Sequence, residues 1–301
     1  MTRNISGETT QSEKGSKPDP GLYVVATPIG NLRDITLRAL DILRAADVIA
    51  CEDTRLTGRL LRTYGINAAT IPYHDHNAAR ARPGIIKRLE RGEIVALVSD
   101  AGTPLVSDPG FKLVEACAGA GISVYAAPGA SALLAGLGVA GLPTDRFYFA
   151  GFLPPKQAAR RKALEEIAAV PGTLVLYESA RRLAASLADM MVVLGDRRAC
   201  VAREMTKRFE ESVRGSLSEL AARYAEAGPP KGEIVIVVAP PAPLEMSEEA
   251  IDRALADALE VSSVKDAAGD VAAALGLPRR KLYERALALS GKRSGTKEAG
   301  E

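Results

Sequence analysis

The chain has 301 residues, 47% apolar and 25% charged, a composition that supports a globular core without disulfide or metal staples. Its 39 basic and 37 acidic residues nearly cancel, which excludes a histone-like polycation and a highly charged unfolded chain, though not local basic patches. Cys51, Cys117 and Cys200 are scattered singly, fit no disulfide or zinc spacing and point to a reducing, cytoplasmic setting; no run reaches about 18 apolar residues, so no membrane span is expected.

Residues 1–20 are Ser, Thr, Gly, Lys and Pro with almost nothing to bury, and read as a disordered leader without a signal-peptide core. From Leu22 the runs LYVVAT, DVIACE, EIVALVSD and ISVYAAP have the continuous apolar character of buried parallel strands. The amphipathic stretches ITLRALDILRAA, TRLTGRLLRTYG, ARPGIIKRLERG and GFKLVEACAGAG follow most of them. This alternation predicts an α/β domain over 21–143 with a parallel sheet covered on both faces. After Gly141-Leu142-Pro143, the strands RFYFAGF, TLVLYES, ACVARE and EIVIVVAP alternate with three helical patterns, and residues 203–217 suggest a hairpin. A second α/β domain with a mixed sheet is therefore expected over 144–240. Pro240, Pro241 and Pro243 break the chain, and 245–290 reads as a helical, helix-turn-helix-like appendage. Its core is two helices, 264–275 and one opened by Pro278, around a Gly276-Leu277 turn; residues 291–301 read as disordered.

Four loops sit just past strand C-termini, where open α/β sheets hold ligands. They are Thr27–Leu32 with Pro28 and Gly30, Ser99–Pro104 with Asp100, Ala101, Gly102 and Thr103, Pro128–Ser131 with Ala130 and Ser131, and Tyr177–Ser179. Each alone is what any tight turn requires; together they suggest a small molecule held between two α/β units. Gly136–Gly141 formally fits the dinucleotide glycine pattern but lacks a strand immediately before it and an acid about 20 residues on, so it reads as a Gly/Ala-packed helix. His74-Asp75-His76 lacks a third ligand, and no metal is expected there. Basic clusters at Lys156, Arg160 and Arg161, around Arg203 and Lys207, and at Arg279, Arg280 and Lys281 suit either solvated helix faces or a phosphate-rich partner such as RNA.

The blocks VATPIGNLRDITLRAL, CEDTR, LVSDAGTPLVSDPG, PGASA, YESARR, REMTKRFEE and KGEIVIVV occur in this order over about residues 21–240. Together they resemble the cytidine 2′-O-methyltransferases of small-subunit ribosomal RNA, a family of the tetrapyrrole methylase superfamily. The resemblance implies a two-domain tetrapyrrole-methylase-like fold that binds S-adenosylmethionine in its interdomain cleft, usually as a homodimer. It also implies methylation of a ribose 2′-hydroxyl of a cytidine in 16S rRNA, at the decoding centre of the small subunit. By motif, Pro28 and Gly30, Asp100–Thr103, Ala130 and Ser131, and Tyr177 would border the donor. A sulfonium favours carboxylates and carbonyls nearby over Lys or Arg, and these compact loops supply them. A ribose hydroxyl is a weak nucleophile and needs a base or polarising group. Glu52, Asp53, Arg55 and Lys207 are the candidates, with Arg203 as a further grip on phosphate; Glu52 and Asp53 equally suit a helix cap. Two other functions share features with this one, a tetrapyrrole C-methyltransferase and a non-catalytic nucleic-acid-binding protein. The CEDTR and REMTKRFEE blocks and the extra tail favour the RNA enzyme over the first, and the ligand loops argue against the second.

Overall fold

The computed structural model describes residues 18–242, 248–275 and 277–297, with side chains to Ser290; residues 1–17 of the leader expected over 1–20, and Gly276 of the expected turn, lie outside the described residues. In the first lobe, β1 (Gly21–Val25), α1 (Leu37–Ala45), β2 (Val48–Cys51), α2 (Thr54–Thr63), β3 (Thr70–Pro72), α3 (Ala78–Glu90), β4 (Ile94–Val98), α4 (Phe111–Gly119) and β5 (Val124–Ala127) alternate as the apolar pattern predicts. The strands form one sheet in the order β3-β2-β4-β1-β5, parallel at every pairing. Because side chains alternate across a strand, both faces must be apolar. Tyr23, Val25, Ile49, Cys51, Ala96 and Val98 pack with Leu40, Leu43 and Leu61 of α1 and α2. Leu22, Val48, Ala50, Val95 and Leu97 pack on the other face with Ile85, Leu89 and Leu113 of α3 and α4. Helix α3 starts at Ala78, ahead of the Ala81 start read from sequence, and keeps Pro83 inside. Proline there removes one i→i−4 hydrogen bond, a cost the apolar contacts of Ile85 and Leu89 offset.

Helix α5 (Ala132–Val139) leads to the second lobe, built from β6 (Phe147–Phe152), α6 (Gln157–Ile167), β7 (Thr173–Ser179), α7 (Leu183–Leu194), β8 (Arg198–Arg203), β9 (Glu211–Ser216), α8 (Leu217–Ala227) and β10 (Glu233–Val238). Its sheet order is β6-β7-β10-β8-β9. The β6–β7 pair is parallel and the others antiparallel, including the β8–β9 hairpin read from residues 203–217. One face packs on α6, α7 and α8 through Leu174, Leu176, Ile234 and Ile236. The other face, with Val175, Cys200, Val235 and Val237, is covered by Leu133 and Leu137 of α5 together with Ile29. A Cβ added to Gly136 would lie 2.8 Å from Val235, so that glycine lets α5 approach the sheet.

The residues from Ala242 onward form a separate compact unit. It contains α9 (Glu248–Ala258), α10 (Val264–Leu275) and α11 (Arg279–Lys297), three helices where the sequence reading specified two. Ile251 and Leu255 of α9, with Leu259 just past its end, form an apolar stripe that packs with Ala268, Val271, Leu282 and Ala286. The backbone of α11 continues to Lys297, past the point where the apolar pattern stops, which corrects the expectation of disorder from residue 291 for that stretch. No helix among the described residues is long and apolar enough to cross a membrane.

Candidate active site

Three of the four ligand loops are tied to one another by backbone groups. Thr27 and Gly102 form an isolated two-bond bridge, with Thr27 N–H donating to Gly102 O at 2.8 Å and Gly102 N–H to Thr27 O at 3.0 Å. The Thr103 hydroxyl donates to Ala130 O at 3.1 Å, joining the second loop to the third. The fourth loop joins across the lobes, where Leu133 N–H donates to the Tyr177 hydroxyl oxygen at 3.2 Å. Glycine is required at Gly102, whose φ is +80°, because an added Cβ would sit 3.3 Å from Ile29.

These loops enclose a cavity of about 460 Å3 between the two lobes. Asp100, Ala101, Gly102, Thr103, Ser131 and Tyr177 line it as the sequence predicts. Pro28, Gly30 and Ala130 are not on its wall: buried Ile29 represents the first loop, and Ala130 acts through its carbonyl. The wall also holds Asp108, Phe152, Met205 and Glu233, together with Glu178 of the fourth loop. Helix α4 starts at Phe111 with Gly110 in the cap position, and Asp108, just ahead of it, faces the cavity. Phe152 is 57% exposed and stands edge-on to Tyr177, a large aromatic left at the rim. Apart from Glu178, the sequence assigns none of these residues to a ligand loop, because the contact of β6, β7 and β10 with the first lobe is tertiary.

The acids differ in what holds them. Asp53 is the N-cap of α2; its carboxylate accepts from Arg55 N–H at 2.8 Å and pairs with the Arg55 guanidinium at 2.7 Å. The Arg55 bond holds its carboxyl down at about 2. Asp53 and Arg55 thus pair with each other at the surface, and neither is on the cavity wall. Glu52 is partly buried, and burial followed by the nearby Asp100 and Asp75 pushes its carboxyl up, but it is not on the cavity wall. Asp100 accepts from Asp53 N–H at 3.0 Å and otherwise faces the open site. Glu178 is buried and accepts from Ser186 and Ser179 while pairing with Arg182 at 2.7 Å. Lys207 lays its stem over Gly30 and places Nζ 2.7 Å from Glu204 and 2.9 Å from Glu233. Burial works against its charge, but those carboxylates outweigh it and hold the ammonium above its ordinary value, so it stays charged and paired with Glu204 and Glu233. Leu105, Ser107, Glu204 and Thr206 all have φ between +53° and +73°, and this strain is concentrated in the two loops flanking the cavity.

The basic residues also divide. Arg160 is 4% exposed, with its guanidinium 2.5 Å from buried Asp189, so it serves the core and cannot meet RNA, contrary to expectation. Arg161 shares Asp189 at 2.7 Å but is partly exposed, and Lys156 is exposed at the start of α6. Arg203 is held by Glu211 at 3.0 Å and donates to Lys231 O. In the helical unit, Arg280 and Lys281 are exposed, while Arg279 lies over Gly269 and donates to Lys265 O. Among the described residues no group of three His, Cys, Asp or Glu is placed to hold a metal, and the His74 and His76 rings stand 6.0 Å apart.

Residues 21–221 match the family model of the tetrapyrrole (corrin/porphyrin) methylases, and residues 245–290 match that of the RsmI C-terminal HTH domain. The chain is 51% identical over 282 residues to ribosomal RNA small subunit methyltransferase I of Mesorhizobium japonicum, covering 93% of this chain and 96% of the relative. It is 50% identical over 280 residues to the protein of the same name from Erythrobacter litoralis, covering 93% and 99%. A solved uroporphyrin-III C-methyltransferase from Thermus thermophilus, complexed with S-adenosyl homocysteine, shares the fold at a TM-score of 0.50 and 22% identity, covering 72% of this chain and 96% of that one.

Proposed function

The chain belongs to the tetrapyrrole methylase family, among the relatives named ribosomal RNA small subunit methyltransferase I, and from that premise we propose that it moves a methyl group from S-adenosylmethionine to RNA. The acceptor in this reading is the 2′-hydroxyl of a cytidine of 16S rRNA, at the decoding centre of the small ribosomal subunit. The cavity between the lobes carries the proposal. Its Ile29, Val106, Met205 and Ile234 give apolar walls for an adenine, and Asp100 gives a carboxylate for a cationic donor without a competing Lys or Arg on the wall. Asp100–Thr103, Ser131 and Tyr177 would hold the donor, in keeping with the S-adenosyl homocysteine of the Thermus enzyme.

Once bound, such a donor supplies an already activated methyl group. The chain's task is then to align an acceptor oxygen with it and take up a proton. The tight loops exclude bulk, and the Thr27–Gly102 bridge and the Thr103–Ala130 and Leu133–Tyr177 bonds fix their spacing before the substrate arrives. Phosphates would be met by exposed cations, Lys156 and Arg161 on the second lobe and Arg280 and Lys281 on the helical unit. The match of that unit to a helix-turn-helix family supports RNA docking over a tetrapyrrole acceptor. A cytoplasmic homodimer is the expected form. Leu37, 81% exposed, and Val124 on edge strand β5 are apolar surface that a second copy would cover.

The test is to incubate unmethylated small subunits with methyl-labelled donor and analyse the nucleosides by mass spectrometry. Labelled 2′-O-methylcytidine is the expected product. Label on a base, on a tetrapyrrole alone or nowhere would refute the proposal.

A further inference from the structure

Four carboxylates line the cavity: Asp100, Asp108, Glu178 and Glu233. Three of them have partners: Asp100 the Asp53 N–H, Glu178 the Arg182 guanidinium and Ser186, and Glu233 the Lys207 ammonium. The hydrogen bonds and ion pairs of the described residues place neither a cation nor a backbone N–H on Asp108, whose neighbour is the Ser99 hydroxyl. A general base needs this setting, because a carboxylate already holding a cation or an amide has little affinity for another proton.

The backbone around Asp108 is built to deliver it. Leu105 and Ser107 take φ of +73° and +65°, and Gly110 takes +140° where an added Cβ would lie 2.9 Å from Leu97. These left-handed turns lift the segment off the end of β4 and carry it to the second lobe, where the Ser107 hydroxyl sits 3.2 Å from the Cβ position of Gly151 on β6. Asp108 thus stands at the seam, while the sequence candidates lie elsewhere: Asp53 caps α2, and Glu52 is off the wall. Strain held in a cavity loop is characteristic of groups positioned for chemistry.

We propose that Asp108 is the general base of the transfer, an assignment that rests on the 2′-O-methylation reading above. The Asp108 carboxylate takes the proton of the ribose 2′-hydroxyl as that oxygen forms its bond to the methyl carbon. The carbon–sulfur bond breaks with its electron pair left on sulfur, which becomes a neutral thioether, and Asp108 then returns the proton to water. The charged groups facing Asp108 are Glu52 past β2, Asp75 past β3, Asp100 past β4 and, when ionised, Tyr177 on β7. With burial they push its carboxyl up to about 6, burial being the larger cause, which leaves it ionised yet basic at neutral pH.

The test compares the full chain with Asp108→Asn and Asp108→Glu, measuring kcat on small subunits across pH 5–9 and donor Kd by calorimetry. The wild type should lose kcat as pH falls through about 6. Asp108→Asn should lower kcat by about 100-fold or more without that acidic limb, and Asp108→Glu should restore the limb with part of the rate. Donor Kd should stay within about threefold in Asp108→Asn, since the base addresses the acceptor. A variant that keeps its rate or its acidic limb, or whose donor affinity falls in step with kcat, overturns the assignment. A wild-type chain that binds donor but transfers nothing to subunit RNA overturns the underlying reading as well, and that failure shows in the wild-type arm alone.

Discussion

Replacing Asp189 by Asn is expected to destabilise the second lobe far more than any exposed charge change. Asp189 is 1% exposed and accepts from Arg160 Nε at 2.8 Å, Arg160 Nη2 at 2.5 Å, Arg161 Nε at 2.7 Å and Gln157 Nε2 at 3.1 Å. Burial alone would raise its carboxyl, but the bonds from Arg161, Arg160 and Gln157 prevail and hold it below the ordinary value. Asn keeps the volume and removes the charge, leaving the Arg160 guanidinium, whose side chain is 5% exposed, without a counter-ion. Breaking such a buried pair costs about 3–5 kcal/mol, because the attraction goes while the desolvation cost stays. With a urea dependence of about 2–3 kcal/mol/M, the unfolding midpoint should fall by about 1–2.5 M in circular dichroism. Added salt should change the loss little, since the pair is shielded from solvent. The double change Arg160→Met with Asp189→Leu should recover most of the midpoint and leave RNA affinity at the wild-type value. A midpoint within about 0.3 M of wild type for Asp189→Asn, or weaker RNA binding in the stable double variant, would refute the assignment of Arg160 to the core.

Asp100→Ala should lower donor affinity by about 100-fold or more in calorimetry, and an unchanged Kd would remove Asp100 from the donor site. Gly136→Val should cost about 1–3 kcal/mol by overpacking α5 against Val235, seen as a lower melting temperature; unaltered stability would contradict the packing role given to that glycine. The Asp108 carboxyl titrates at about 6 against an ordinary 3.8, so it adds stability below about pH 3.8 that is lost as pH rises through about 6. That gap corresponds to at most about 3 kcal/mol, and solvent screening of a half-exposed group reduces it to about 1. Asp108→Asn should therefore be more stable than wild type at pH 8, with the difference vanishing near pH 4; a pH-independent difference would count against burial as the cause. Removing residues 245–301 should weaken binding to small subunits about tenfold or more while leaving donor Kd unchanged, and equal affinity for subunits would exclude the helical unit from docking.

Much of this architecture is legible in the chain because burial on both faces of a sheet leaves continuous apolar runs such as EIVALVSD, and because Pro and Gly mark the turns. Asp100–Thr103 and Tyr177 could be placed on the cavity wall since each directly follows or ends a strand. The errors arise where tertiary contact decides. Arg160 sits in a run of cations that looks solvated, and nothing local reveals that Asp189, 29 positions later on α7, reaches it. Asp108 resembles a helix cap by residue type, and only the left-handed turns at Leu105 and Ser107 show that it points elsewhere. Helix α9 had a readable apolar spacing in Ile251, Leu255 and Leu259 that its acidic neighbours obscured.

Helix α5 follows the last strand of one sheet yet finds its apolar neighbours on the other. A cut after Val139 would leave the carboxyl-terminal fragment with Val235 and Val237 facing water, and a cut ahead of Ala132 would part the helix from Ile29. At the position where the strand pattern changes, the second lobe's sheet therefore still depends on a helix encoded ahead of it. Moving the two lobes apart would therefore first have to draw Leu133 and Leu137 off Val235 and Val237.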